Sequence, residues 1–339
     1  MNNVPLKLGL VGAGRIGQLH AAHLRRRLPD ADLVLLTDPN LEAAEACATA
    51  HGIPGVDADH RRIVERADIQ AVVICSSTDT HTRIIEDAAA AGKHIFCEKP
   101  IAADLSGIDR ALAAVRHAGV ILQVGFNRRF DANFARIRQA VVDGAVGTPH
   151  QVHIVSRDPA PPPIDYVRRS GGMFLDMTIH DFDMARFLMG DEVTEVFALG
   201  GVRVDPAIGQ AGDIDTATML LKFAGGGVGV IENCRQAVYG YDQRAEVFGS
   251  GGSIRVDNNH PNAALLSDAQ SVRRDRPLTF FMDRYVESYL EEMRAFLQAV
   301  RRGGPSPVPG EAGRVPVVMA LAAERSRREN RPVKLSEIG

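Results

Sequence analysis

The stretch LKLGLVGAGRIG, residues 6–17, constrains this chain more than any other. An apolar run stops on a glycine triplet, and a helical pattern from Gln18 to Leu28 follows at once. A second run, ADLVLLTD, reaches Asp38, about twenty residues past the last glycine. Each part has a mechanical reason. Gly12 permits a tight turn, Gly14 lets the backbone approach a pyrophosphate, and Gly17 lets the helix pack close to the strand. The helix N-terminus favours the phosphate charge. Asp38 can accept hydrogen bonds from both ribose hydroxyls and repels a 2′-phosphate, which favours NAD over NADP. Its plainer role is to open the DPN turn.

The alternation of strand and helix continues. QAVVICSS, KHIFCEKP and VILQVGF read as strands, with THTRIIEDAAAAG and LSGIDRALAAVRHAG as helices between them. Continuously apolar strands belong in a parallel sheet covered on both faces. Ligands in such sheets lie beyond the carboxyl ends of the strands. That edge carries Ser76, Ser77 and Thr78, then Glu98, Lys99 and Pro100, then Asn127, Arg128 and Arg129. Cofactor contacts are therefore assigned to Gly12, Gly14, Arg15, Ile16, Gly17, Asp38, Ser76, Ser77, Thr78, His81, Glu98 and Lys99. His20 and His23 are expected to be exposed on the first helix, because their spacing suits no metal site.

Past residue 125 the pattern changes. HQVHIVSRD alternates like a strand, and VTEVFALGGVRV, DTATMLLKFAGGGVGVIENCRQ and RAEVFGSGGSIRV read as strands joined by hairpin turns. The expected fold is an α/β Rossmann domain with a doubly wound parallel sheet over 1–125. An α+β domain with a large, mostly antiparallel open sheet follows over 126–339. An open sheet must cover its free face, and sister subunits are one way to do so, so a homo-oligomer is expected. The proline cluster DPAPPPIDY, 158–166, is a stiff loop, read as a lip of the site.

Composition excludes several classes. Charges nearly balance, with a net charge of -3, so nothing suggests a nucleic-acid binder. The run Arg25–Arg27 is a solvated helix end. Cys47, Cys75, Cys97 and Cys234 show no paired spacing, which suits free thiols in a reducing compartment, and a structural zinc is not expected. The N-terminus enters a strand directly and no apolar run is long enough to span a bilayer, so a cytoplasmic protein away from membranes is expected.

The segment GGMFLDMTIHDFDMARFLMG, 171–190, is apolar all round the helical wheel yet carries Asp176, His180, Asp181 and Asp183. Desolvating such groups is expensive. Asp176 and His180 are four apart, so one helical face holds both; Asp183 continues that stripe and Asp181 turns away. A carboxylate beside an imidazole fixes its tautomer and makes His180 a competent general base. The plainer alternative is a core histidine satisfied by a local acid, with Asp183 capturing Arg186. Oxidising an alcohol with NAD requires a hydride to leave carbon and a proton to leave oxygen. His180 can take the proton, Lys99 can steady the oxyanion, Asp176 can hold His180, and no metal is needed.

GAGRIG, CEKP and the GG-x3-D-x3-H helix, in that order, make the whole chain resemble the glucose–fructose oxidoreductase/inositol dehydrogenase family. VGFNRRFD, SRDP and YGYDQRAEVFGSGG are similar to its bacterial myo-inositol 2-dehydrogenase branch. The resemblance implies NAD-linked oxidation of the axial 2-hydroxyl of myo-inositol to the ketone, in inositol catabolism. It implies a catalytic set on Lys99, Asp176 and His180 and a cis peptide at Lys99–Pro100. Substrate hydroxyls would be held by Lys99, Asp176, His180, Arg128, Asp158 and a tyrosine of YGYD, Tyr239 or Tyr241, and the assembly would be a tetramer. Rival readings are another cyclitol or sugar, an NAD-binding regulator without turnover, and a metal-dependent hydrolase using His180, Asp181 and Asp183.

Overall fold

The structure, a computed structural model, describes residues 4–339. The chain divides into two compact units. The first runs through Asn127 and takes in Tyr289–Val315; the second comprises Arg128–Ser288 and Pro316–Gly339.

In the first unit, β1 (Leu6–Val11), α1 (Arg15–Arg26), β2 (Ala31–Thr37), α2 (Leu41–His51), β3 (Val56–Asp57) and α3 (Arg61–Glu65) form one half. The other half holds β4 (Ala71–Ile74), α4 (Thr78–Ala90), β5 (His94–Glu98), α5 (Leu105–Ala118) and β6 (Leu122–Gly125). The sheet order is β3-β2-β1-β4-β5-β6, and its neighbours pair in parallel. This is the doubly wound dinucleotide-binding arrangement expected from the sequence. Its strand order reverses between β1 and β4, which fixes where a ligand crevice opens. The short β3 is an addition, since its two residues are too few to make a period.

By sequence order Tyr289–Val315 falls in the second domain, yet its apolar face belongs to the first. Leu290, Met293, Phe296 and Leu297 share a buried cluster with Leu8, Leu10, Leu24 and Phe96. Linear order carries no information about which sheet a late helix returns to.

The second unit holds α6 (Ala132–Val142), β7 (Pro149–Arg157), α7 (Ile164–Val167), α8 (Ile179–Met189), β8 (Val193–Gly201) and α9 (Pro206–Gln210). Next come β9 (Thr216–Phe223), β10 (Val228–Cys234), β11 (Asp242–Gly249), β12 (Gly252–Val256), and a small hairpin of β13 (Leu265–Ser267) and β14 (Val272–Arg274). Two long helices, α10 (Phe281–Arg302) and α11 (Gly310–Glu329), and β15 (Val333–Lys334) complete the chain, each helix contributing residues to both units. The seven-stranded sheet runs β12-β11-β7-β10-β9-β8-β15 and is antiparallel throughout except for β7 with β10. Side chains of β9 alternate between buried and exposed. Met219, Leu221 and Phe223 face the core, while Leu220 stands exposed beside Phe197 and Val230.

The segment expected as one helix over 171–189 is two pieces. Gly171 and Gly172 take φ of +83° and +86°, which breaks the chain before Met173. A π-helical turn over Phe174–Thr178 then leads into α8. Such a turn carries one extra residue within the helix and shifts the phase of everything after it.

Candidate active site

The glycine turn sits between β1 and α1. Gly12 has φ of +102°, and a Cβ there would lie 2.6 Å from the Cys75 carbonyl oxygen; at Gly17 a Cβ would lie 2.0 Å from Gly12 O. Both positions therefore require glycine. Gly14 faces open space. It also begins α1 with no side-chain cap, and the first turn holds no acid. Uncapped N–H groups at a helix N-terminus with free approach fit a pyrophosphate.

Asp38 performs the structural role and leaves room for the other. Its Oδ2 accepts from Ala13 N at 2.8 Å, pinning the glycine turn, and its Oδ1 accepts from Asn40 N at 2.8 Å in the DPN turn. An ionised carboxylate has about four acceptor sites, so two remain for ribose hydroxyls.

Ser76 and Ser77 lie between β4 and α4, which Thr78 opens, and Glu98–Lys99–Pro100 leaves β5 through a cis peptide at Lys99–Pro100. His81 is buried, with Nδ1 2.8 Å from Pro100 O and Nε2 3.0 Å from Ser76 O. It ties these two loops together, so any part it plays toward a cofactor runs through them. Arg15 is exposed and Ile16 half-buried at the start of α1. His20 and His23, expected outside, are buried. Their side of α1 also carries Ala21 and Leu24, whose burial against the sheet takes the histidines with them.

In the second unit, polar groups gather near the carboxyl ends of β7 and β10. Arg128 is buried and donates to Asp181 Oδ1 at 2.6 Å, with Tyr241 Oη at 3.4 Å from its Nη2. Asn233 donates to the other Asp181 oxygen at 2.8 Å. Asp176 accepts from Tyr166 Oη at 2.6 Å and from Arg235 Nη1 at 3.2 Å. The Asp158 carboxyl is pushed up to about 6, first by burial and then by Asp176 and Asp181, while Arg235 and Arg128 pull it down. Arg128, Asp158, Asp176 and Tyr241 thus act on one another. His180 is half-buried in the first turn of α8.

The two tyrosines separate here. Tyr241 is buried and burial pushes its hydroxyl up. Tyr239 is exposed and takes part in a different group, with Arg157 at 3.0 Å and Asp242 at 2.5 Å. Asp183 does not capture Arg186, the plainer alternative. It is buried and gripped through both oxygens by Arg129 at 2.8 and 2.5 Å, while Arg186 pairs with Glu192. Asp181 and Asp183 are each occupied by an arginine, which leaves them poorly suited as metal ligands beside His180.

Sequence reasoning missed Tyr166, Asn233 and Arg235. Arg235 stood one residue past an apolar strand, the same signal that marked Lys99. Tyr166 lies in the proline loop, whose stiffness aims its hydroxyl at Asp176, a contact no local pattern marks.

A glycine turn built for a pyrophosphate, and a second unit rich in buried acceptors and cations, define an NAD-binding oxidoreductase. Residues 6–126 match the oxidoreductase family with an NAD-binding Rossmann fold, and residues 134–255 match the GFO/IDH/MocA C-terminal domain. The chain belongs to the GFO/IDH/MocA family, and NAD is its cofactor. It is 48% identical to the myo-inositol 2-dehydrogenase of Thermotoga maritima over 98% of this chain and 99% of that one. It is 45% identical to the inositol 2-dehydrogenase of Rhizobium meliloti over 98% and 99%. The crystal structure of scyllo-inositol dehydrogenase from Lactobacillus casei with bound NAD(H) and scyllo-inositol superposes with a TM-score of 0.92 at 30% identity, covering 98% of this chain and 99% of that one. No helix among the described residues is long and apolar enough to cross a membrane.

Proposed function

We propose that this enzyme oxidises myo-inositol at its axial 2-hydroxyl to 2-keto-myo-inositol (scyllo-inosose), as a step in inositol catabolism. The observation that carries the reading is the 48% identity with a myo-inositol 2-dehydrogenase across nearly both whole chains. Bound NAD supplies the hydride acceptor. The chain's own residues divide the rest of the work. His180 accepts the hydroxyl proton at an imidazole nitrogen, and Lys99 donates to the same oxygen as negative charge builds on it. Asp176 orients His180 and is itself oriented by Tyr166 and Arg235. Arg128 and Asp158 bind the remaining hydroxyls, with Tyr241 preferred to Tyr239 because it stands with Arg128. Ser76, Ser77, Thr78, Asp38 and the glycine turn bind the cofactor, and His81 and Glu98 keep the lysine corner in place.

A cyclitol presents hydroxyls in every direction, and a buried one without a partner costs about 1–3 kcal/mol. The second unit supplies both ionic signs for that purpose. Four free cysteines support a reducing, cytoplasmic setting. The outer face of the seven-stranded sheet, with Leu199, Leu220, Val228 and Phe248 exposed, supports a homo-oligomer, and a tetramer is the form proposed. Steady-state kinetics with NAD on myo-, scyllo- and chiro-inositol and an aldose test the substrate. The highest kcat/KM is expected for myo-inositol, and a higher value for any other substrate overturns the choice.

A further inference from the structure

His20 faces inward from the middle of α1, fully buried, edge-on to Phe96 at 5.2 Å and to Tyr289 at 5.8 Å. Its Nε2 lies 3.0 Å from Glu98 Oε1, at the end of β5 and directly before Lys99. The Glu98 side chain is 12% exposed. From α10, Glu292 points into the same place, with no exposed surface and Oε1 3.9 Å from that same Nε2. Neither Glu292 oxygen meets a hydrogen-bond donor among the described residues. The three groups offer atoms within 4.8 Å of one another.

Two carboxylates and one imidazole cannot all be buried in arbitrary charge states. Glu98 has its donor if His20 carries the proton on Nε2, and the Nδ1 atom, which meets no partner, then needs none as a donor. Glu292 has no donor, so ionising it would put a second negative charge beside Glu98 in a dry place. The groups facing it are Glu98, His20 and the Cys75 thiol, none of which supplies a positive charge in that arrangement. Burial, and then the Glu98 charge, push the Glu292 carboxyl well above the ordinary range.

We propose that His20, Glu98 and Glu292 form a positioning group in which Glu292 is a neutral acid and His20 holds Glu98, fixing the corner that presents Lys99. The group does not touch the reacting atoms. It acts through Lys99, and so it rests on the reading that Lys99 serves the oxidation.

A sign follows. An acid whose folded value is raised contributes full stability below the ordinary glutamate range and loses it as pH rises toward the folded value. Replacement by the neutral isostere removes that loss. The Glu292→Gln variant should therefore keep wild-type kcat at neutral pH, while its alkaline decline in thermal stability and in kcat becomes shallower than that of the wild type. Infrared spectra of the apoenzyme at neutral pH should show a protonated-carboxyl band in the wild type that Glu292→Gln lacks. His20→Leu should lose about 10²-fold in kcat through a displaced Lys99, with NADH affinity measured by cofactor fluorescence nearly unchanged.

A missing carboxyl band, an alkaline slope identical in Glu292→Gln, or a stoichiometric metal ion found by elemental analysis of the purified wild type overturns the proposal. The band and the stability slope need no substrate. If both hold while inositol is not oxidised, only the functional reading fails; if inositol is oxidised and they do not hold, only this inference fails.

Discussion

In the proposed mechanism Lys99 and His180 have separable tasks, and each is tested by its own variant. Lys99→Met removes the donor to the developing oxyanion and should lower kcat by about 10²–10³-fold, with NADH affinity retained. His180→Asn removes the proposed base and should lower kcat by about 10²–10⁴-fold. A variant pair with intact kcat would leave the polar groups merely structural, as in an NAD-binding regulator. Asp158 adds a pH effect. Burial pushes its carboxyl up to about 6, so as a proposed acceptor of substrate hydroxyls it loses acceptor capacity below that pH. KM should rise as pH falls through 6 in the wild type, and the Asp158→Asn variant should show a higher, pH-flat KM. A wild-type KM that stays constant across that range removes Asp158 from the substrate contacts.

At the scale of elements, the π-helical turn over Phe174–Thr178 sets where Asp176 stands relative to Arg235 and Tyr166. Deleting Leu175, which is half-buried within the turn, should restore a regular helix and rotate Asp176 away from both. The variant should fold, judged by its circular dichroism, and lose most of its kcat; full activity would show that the turn is incidental. The strands were legible because apolar runs and alternation are local. The parallel pairing of β7 with β10 was not, because alternation says which face is buried and nothing about the neighbour. The phase shift before α8 was equally hidden, since an all-apolar wheel has no stripe to lose. The partners of Asp181 and Asp183 were hidden for a related reason. Their partners, Arg128 and Arg129, lie more than fifty positions away, at separations of 53 and 54. Gly12 and Gly17 were readable because the turn they build is contiguous, and Asp38, 25 positions past Ala13, because the strand–helix–strand spacing marks it.

For the molecule as a whole, the exposed face of the seven-stranded sheet is the feature a lone chain explains least well. Leu199, Leu220, Val228 and Phe248 are each about half exposed on it. If the proposed homo-oligomer forms through this face, Leu220→Glu combined with Phe248→Glu should shift the particle to a lower mass in light scattering after size exclusion, and an unchanged mass would contradict it. The proposed chemistry turns on one transferred hydride. Its origin can be read directly. The enzyme should be given NAD and myo-inositol carrying deuterium at carbon 2, and the reduced cofactor analysed by mass spectrometry. The expected result is singly deuterated NADH formed in step with the ketone, slower than with unlabelled substrate. NADH without the label, or no NADH at all, would contradict oxidation at that carbon.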